Sequence, residues 1–468
     1  MLDVDVVIIG SGPGGYVAAI RLGQLGKKVV LIDKDRIGGE CLNYGCIPSK
    51  VLISAGNMYS KMKSASEIGI NVEGLNLDLR RLHEWKHSVI DKLSSGIVLL
   101  CREYEIDIVH GEASIISNHE VEVKENDENR RITTSEMIIA SGSQPLEVEG
   151  LVSDGVDILT SKEALELTEI PGSLLVIGGG AIGLELGTMY AKIGSEVTVV
   201  EITHSLLPGI DLDLIRVISR SIKKLGINVL LNTRVKETVR ESKRLTVSME
   251  SNGKEIRRSF DRVLVAIGRV ANTQGLGLES IGVELDEKGF IKVDETMKTN
   301  VDGVYAIGDV TGPPYLAHKA SAQGTTAAEN IAGLERRFDA TNIPCAIFTH
   351  PEIATTGLSE SDAIAAGYDI SIGKFHFGAL GRALTVKETD GLVKVITDNK
   401  TKVILGVHIA GPDASDLISE ASLAIKMGAT SEDIESTIHP HPTLSEAIME
   451  ASNASLGRSI HSVVRRSL

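Results

Sequence analysis

Apolar residues cluster along the chain in one arrangement that occurs twice, followed by a different one. The stretch DVVIIGSGPGGYVAAIRLGQLGKKVVLID, residues 5 to 33, reads as a strand, a glycine turn, a helix and a second strand. An unbroken apolar run bounded by glycines predicts a strand buried on both faces, and the spacing after it shifts to helical. SLLVIGGGAIGLELGTMYAKIGSEVTVVE, residues 173 to 201, repeats the arrangement. Between the copies, residues 51 to 110 are predicted to be largely helical and polar on one face, with the single tryptophan, Trp85, as a packing residue. MIIASGSQP (137 to 145) predicts an apolar strand ending in small residues, and RVLVAIGRVANT (262 to 273) mirrors it. TNVDGVYAIGDV (299 to 310) predicts a strand that delivers Gly308 and Asp309 at its end. From about 340 the pattern becomes alternating strands. VKVITD and VILGVHIAG are predicted to be antiparallel neighbours, with helices from Ala414 onward.

The glycine turns carry the first chemical information. Gly10, Gly12 and Gly15 have G-x-G-x-x-G spacing, as do Gly178, Gly180 and Gly183. In this motif the first glycine permits a tight turn, the second admits a pyrophosphate, and the third lets helix pack on strand. Asp33 and Glu201 close the second strands, each 23 residues after its first glycine (33 minus 10, 201 minus 178). Both acids suit ribose hydroxyls. No arginine follows Glu201 in Ile202, Thr203 or His204 to hold a 2′-phosphate, which favours NAD over NADP.

With 468 residues the chain has room for two to four domains. The net charge of −15 opposes a nucleic-acid partner, since phosphate contacts need a basic face. Cofactor phosphates are unaffected by this, because they bind locally at helix N-termini. Strand-like sequence begins by Val4 and apolar runs are short, so neither a targeting segment nor a membrane span is expected, and the expected location is cytoplasmic.

Against that background the segment GGECLNYGCIPSK, residues 38 to 50, stands out. Cys41 and Cys46 are five residues apart. An ideal helix would separate them by about 7.5 Å along its axis, beyond the roughly 4.4 to 6.8 Å between Cα atoms that a disulfide tolerates. A bond therefore needs a distorted turn, and Pro48 fits one by pushing Ile47 out of helical geometry. The pair reads as a redox-active dithiol, a metal half-site, or two thiols that never meet. The remaining cysteines, Cys101 and Cys345, are isolated, so no metal site is expected.

Near the end, HPHPTLSEAIMEA places His439 and His441 each before a proline, with Glu446 five residues beyond His441. If a helix starts near Thr443, Glu446 lies in its first turn, within reach of the imidazole. A carboxylate there fixes the tautomer and leaves the other nitrogen as a base. The alternative is a capping box with Thr443. Asp309 is likewise open to two readings, a polyol acceptor or a cap on the helix near Leu316.

Taken together, both glycine motifs, GGECLNYGCIPSK, GLELG, IGDV, LAHKA and HPHPTLSEA resemble the flavoprotein pyridine nucleotide-disulfide oxidoreductases, over essentially the whole chain and in the family's order. The sequence departs from the usual pattern at Asp33, Ser141, Val270 and Ala271. The resemblance implies an α/β fold of two Rossmann-like domains, for FAD and NAD, with a C-terminal α+β dimerisation domain. The implied boundaries are 1 to 145 and 270 to 341 for the FAD-binding parts, 146 to 269 for NAD and 342 to 468 for dimerisation. It implies that Gly10, Gly12, Gly15, Asp33, Gly39, Lys50, Ala113, Ser141, Gly142, Ser143, Asp309, Tyr315, Leu316, Ala317 and His318 surround FAD. Gly178, Gly180, Gly183, Glu185, Glu201, Val235 and Gly268 would line the NAD site. Catalysis would fall to a Cys41–Cys46 redox disulfide, His441 with Glu446, and a Lys50–Glu185 ion pair. The branch it matches oxidises dihydrolipoamide. Its members work as homodimers, with a lipoyl domain of a 2-oxoacid dehydrogenase or glycine cleavage complex as partner. Alternatives within reach of the same motifs are an NAD(P)H-dependent reductase of another small disulfide and a non-catalytic redox sensor.

Overall fold

The computed structural model describes residues 2 to 125, 128 to 241 and 244 to 463. Residues 464 to 468, which close the predicted dimerisation domain, lie outside the described residues. The first sheet is built outward from Leu2–Ile9, which pairs in parallel with Val29–Asp33 on one side and Glu128–Ile139 on the other. Asp107–His110 extends it beyond Val29–Asp33, and Val304–Ala306 extends it beyond Glu128–Ile139. Val6, Val7 and Ile8 are fully buried, as an apolar run covered on both faces requires. Helix Pro13–Gln24 covers one face and packs against helix Ala317–Ile331, so residues far apart in sequence close one core.

The second sheet is parallel, in the order Asn228–Leu230, Glu196–Val200, Ser173–Ile177, Arg262–Val265, Ile158–Leu159. Helix Ala181–Ile193 lies against it, and an antiparallel meander of Thr233–Glu241, Arg244–Ser251 and Lys254–Phe260 flanks it. The mirrored segments meet: Arg269–Ala271 pairs antiparallel with Ser143–Pro145, joining the end of one unit to the start of the other.

The C-terminal sheet is antiparallel, ordered Cys345–Ile347, Glu352–Gly357, Ile404–Gly411, Leu392–Asp398, Ile370–His376. Its core is shared with helices Ala414–Met427 and Glu446–Ser455. Two Rossmann-like units and an α+β C-terminal unit are therefore the architecture. Among the described residues no helix is long and apolar enough to cross a membrane.

Two local expectations are corrected. The chain breaks at Gly45, between helices Gly39–Tyr44 and Cys46–Lys63, and Ile47 stays helical. Pro48 sits inside the first turn of the second helix, where a missing N–H leaves no bond unmade. Trp85 is 48% exposed. It lies on helix Leu79–Glu103 one residue before Lys86, off the buried stripe of Lys86, Ile90, Ile97 and Cys101, and so turns about 100° from the core.

Candidate active site

Both glycine turns have the same steric logic. A Cβ at Gly10 would lie 2.3 Å from Ala140 O, and one at Gly15 would lie 1.8 Å from Gly10 O. At Gly178 and Gly183 the corresponding approaches are 2.3 Å to Ala266 O and 2.1 Å to Gly178 O. The middle glycines differ: a Cβ at Gly12 or Gly180 meets nothing within 4 Å. Packing therefore demands the outer glycines, while the central one borders open space where a pyrophosphate fits. Each acid pins its own turn. Asp33 Oδ2 accepts from Ser11 N (2.7 Å) and Ser11 Oγ (2.6 Å). Glu201 Oε2 accepts from Gly179 N (2.7 Å) and Oε1 from Thr203 N (2.8 Å). These cradles fit two dinucleotides.

The other residues expected around the first dinucleotide are held by contacts of their own. Gly111 N donates to Asp33 O (3.0 Å), which brings buried Ala113 near the acid. Ser141 Oγ donates to Asn272 O (2.7 Å) and Asn272 N to Gly142 O (3.0 Å), so the small-residue turn is held by its mirror segment. Ser143 Oγ donates to Asp309 Oδ2 at 2.6 Å. Asp309 does not cap the helix that follows Leu316, whose first turn has no side-chain cap. Tyr315 Oη donates to Arg269 O (3.4 Å) and His318 contacts Pro344 O through Nε2 (2.6 Å).

Gly39 joins the dithiol segment to this turn. It has φ +62°, and a Cβ there would lie 2.5 Å from Gly12 Cα. Only glycine allows so close an approach, which seats helix Gly39–Tyr44, and Cys41 on it, directly over the first motif. Cys46 opens the next helix, where the amide dipoles favour a thiolate. The two cysteines are free thiols that hydrogen-bond to each other. That bond, aided by Lys50, lowers the Cys46 thiol, while the same bond and burial push Cys41 up.

Lys50 Nζ sits 2.7 Å from Glu185 Oε2 and 4.4 Å from the centre of the Phe348 ring. Glu185 Oε1 accepts from Phe348 N at 2.8 Å, so one buried carboxylate ties the dithiol helix, the second Rossmann unit and the C-terminal unit together.

The two histidines separate in role. His439 is sealed, its Nε2 2.8 Å from Glu420 Oε1 and its Nδ1 2.9 Å from Thr437 O. The His441 side chain is 78% exposed, with Nδ1 2.9 Å from Glu446 Oε1. Glu446 Oε2 also accepts from Thr443 N (2.7 Å), so the imidazole contact and half of the capping box coexist. The helix itself starts at Glu446 rather than near Thr443. Burial works to raise the Glu446 carboxyl, but the Thr443 N–H and the His441 ring outweigh it and hold it low. Within the chain, no hydrogen bond or ion pair among the described residues joins the His441–Glu446 pair to the cysteines.

Sequence reasoning missed Arg269 and Phe348. Arg269 donates from Nε to Ser143 Oγ (2.7 Å) and from Nη2 to Ser143 O (2.8 Å), and it pairs with Glu40, beside Cys41. Its only signal was adjacency to Gly268. Phe348 carried none.

The chain matches the pyridine nucleotide-disulphide oxidoreductase family over residues 4 to 324, and that family's dimerisation domain over 343 to 452. It belongs to this family of FAD- and NAD-dependent flavoprotein oxidoreductases. A dihydrolipoyl dehydrogenase of Bacillus subtilis is 44% identical, with 99% of this chain and 98% of that protein covered. One of Thermus scotoductus is also 44% identical, with 98% and 99% covered. Among solved structures, LpdA from Mycobacterium tuberculosis superposes with a TM-score of 0.90 at 27% identity, covering 97% of this chain and 99% of that one. The flavoprotein disulfide reductase RclA from Escherichia coli gives 0.86 at 28% identity, with 96% and 99% covered.

Proposed function

We propose that this protein is a dihydrolipoyl dehydrogenase, which oxidises protein-bound dihydrolipoamide to lipoamide and reduces NAD to NADH. The observation that carries the reading is the Cys41/Cys46 pair, seated on the first glycine turn through Gly39 and backed by Lys50 and Glu185. In the oxidised enzyme the two cysteines form a disulfide. His441, oriented by Glu446, takes a proton from a substrate thiol, and the thiolate attacks the Cys41 sulfur. The disulfide opens and Cys46 leaves as a thiolate, stabilised by its helix start and by Lys50. The second substrate thiol then attacks the mixed disulfide. Lipoamide departs, and Cys41 and Cys46 hold the electron pair as a dithiol. Bound flavin supplies the two-electron transfer from that dithiol to nicotinamide.

The FAD-facing residues are those of the first turn with Ala113, the Ser141 to Ser143 turn, Asp309 and Tyr315 to His318. Those of the NAD site are Gly178, Gly180, Gly183, Glu185, Glu201, Val235 and Gly268. The domains follow the boundaries 1 to 145, 146 to 269, 270 to 341 and 342 to 468.

His441 serves the cysteines of a second copy. The working unit is a homodimer, held by residues from about 342 onward, and the match to a dimerisation domain supports it. In this reading the protein is cytoplasmic and its partner is the lipoyl domain of a 2-oxoacid dehydrogenase or glycine cleavage complex. The test is NADH formation from NAD with a reduced lipoyl domain against free dihydrolipoamide. The reading expects both to be oxidised, the lipoyl domain faster. Failure with both overturns it.

A further inference from the structure

Beside Glu201, at the carboxyl ends of strands Glu196–Val200 and Asn228–Leu230, a groove of about 490 Å³ opens. It is lined by Ile202, Asn232, Arg234, Lys236, Glu250 and Asn252. Ligands of doubly wound sheets sit outside these strand ends, and the acid closing the second strand faces the adenosine ribose. Ile202 follows that acid directly, so the groove begins where a 2′-substituent on the ribose would project. Glu201 itself cannot swing aside, because both of its oxygens are held by backbone N–H groups.

The charges in the groove are uneven in their freedom. Arg234 and Lys236, two residues apart on strand Thr233–Glu241, both line the groove, Lys236 from an irregularity in the strand pairing, while Val235 between them packs inward. Glu250 on the neighbouring strand is the cross-strand partner of Arg234 and holds Lys236 Nζ at 2.6 Å. One carboxylate thus holds one of the two cations that a phosphate could use and stands opposite the other. The Lys236 contact, followed by the charge of Arg234, also holds the Glu250 carboxyl low, so it stays ionised.

We propose that Glu250 is a specificity-determining residue: by holding Lys236 and opposing Arg234, it keeps this groove from offering two free cations to a 2′-phosphate and so reinforces the choice of NAD made by Glu201. The inference deepens the reading of the second Rossmann unit as the NAD site and rests on it. It assigns the discrimination to two carboxylates on different elements, of which only Glu201 belongs to the glycine motif.

The test uses the holoenzyme, with NAD⁺ and NADP⁺ as probes, in wild type, Glu250→Gln, and Glu250→Gln combined with Lys236→Gln and Arg234→Gln. Dissociation constants from calorimetry at low and high ionic strength are read beside kcat/KM. The expected result for Glu250→Gln is NADP⁺ binding about three- to fivefold tighter at low salt, the scale of an exposed ion pair. High salt should erase most of that gain. NAD⁺ affinity should stay unchanged, and removing Lys236 and Arg234 as well should remove the gain. Unchanged NADP⁺ affinity in Glu250→Gln, an equal gain for NAD⁺, or a gain that survives in the combined variant overturns the proposal. A wild type that binds neither dinucleotide overturns the NAD-site reading and the proposal with it.

Discussion

Lys50 and Glu185 are 135 residues apart in sequence and 2.7 Å apart in space, and the ammonium of that pair also bears on the Cys46 thiol. The hydrogen bond from Cys41 is the larger influence on Cys46, with Lys50 adding to it against burial and the nearby Glu185 charge. Replacing Lys50 by Met removes the cation and leaves the carboxylate. Because Cys46 is held low, its thiolate persists as pH falls below the ordinary thiol range and is lost only on passing its lowered pKa. In Lys50→Met that loss comes at higher pH, so less thiolate remains at neutral pH. The pH profile of iodoacetamide alkylation of the reduced protein measures this, and an unchanged midpoint would show that the ammonium is not felt at the sulfur.

His441 and Glu446 form the second pair, and their substitutions should separate chemistry from folding. His441→Gln should lower kcat by about 10²- to 10⁴-fold, the range of a general base. Glu446→Gln keeps an acceptor for Thr443 N but loses the charge against the imidazole, so a smaller loss, on the order of tenfold, is expected. Chains carrying Cys46→Ser and chains carrying His441→Gln should complement when dissociated and reassociated together. Half the random dimers then hold one intact site, giving about a quarter of wild-type activity. No recovery would place His441 and the cysteines of a working site on one chain.

The glycine turns make a third prediction, in which stability and cofactor retention part company. Gly12 has φ −63° and open space before it, so Gly12→Ala should fold with a melting temperature close to wild type yet retain little FAD. Gly10 has φ +104° and would drive its Cβ against Ala140 O, so Gly10→Ala should destabilise the fold by more than about 3 kcal/mol. Flavin stoichiometry and thermal unfolding read the two effects independently. Full FAD occupancy in Gly12→Ala would remove the pyrophosphate from that position.

How much of this was legible beforehand depended on whether a constraint acts along the chain or across it. The outer glycines and the acids Asp33 and Glu201 were legible because strand, turn, helix and strand fix their separation. The pairing of Ser143–Pro145 with Arg269–Ala271 left a trace, in that both segments are apolar strands running into small residues. The Lys50–Glu185 contact came only with the family resemblance, since nothing local ties residue 50 to residue 185. Phe348 and Arg269 had no periodicity to betray them, for each acts through one side chain or amide supplied by a distant element. Trp85 was misread because bulk and apolarity suggest burial, whereas its angular place on the helix decides it. The break near the cysteines was expected at Pro48 and falls at Gly45, since a proline in a first turn has no bond to lose.

The central claim is that Cys46 is the sulfur that would face the bound flavin, whose chemistry would carry the substrate's electron pair to NAD, and it is tested most directly by anaerobic reduction of the holoenzyme with dihydrolipoamide. The wild type should develop a long-wavelength thiolate-to-flavin absorption and then, on adding NAD, form NADH, while Cys46→Ser should do neither although it folds and binds FAD. Persistence of that absorption in Cys46→Ser, or NADH formation at an undiminished rate, would contradict the account.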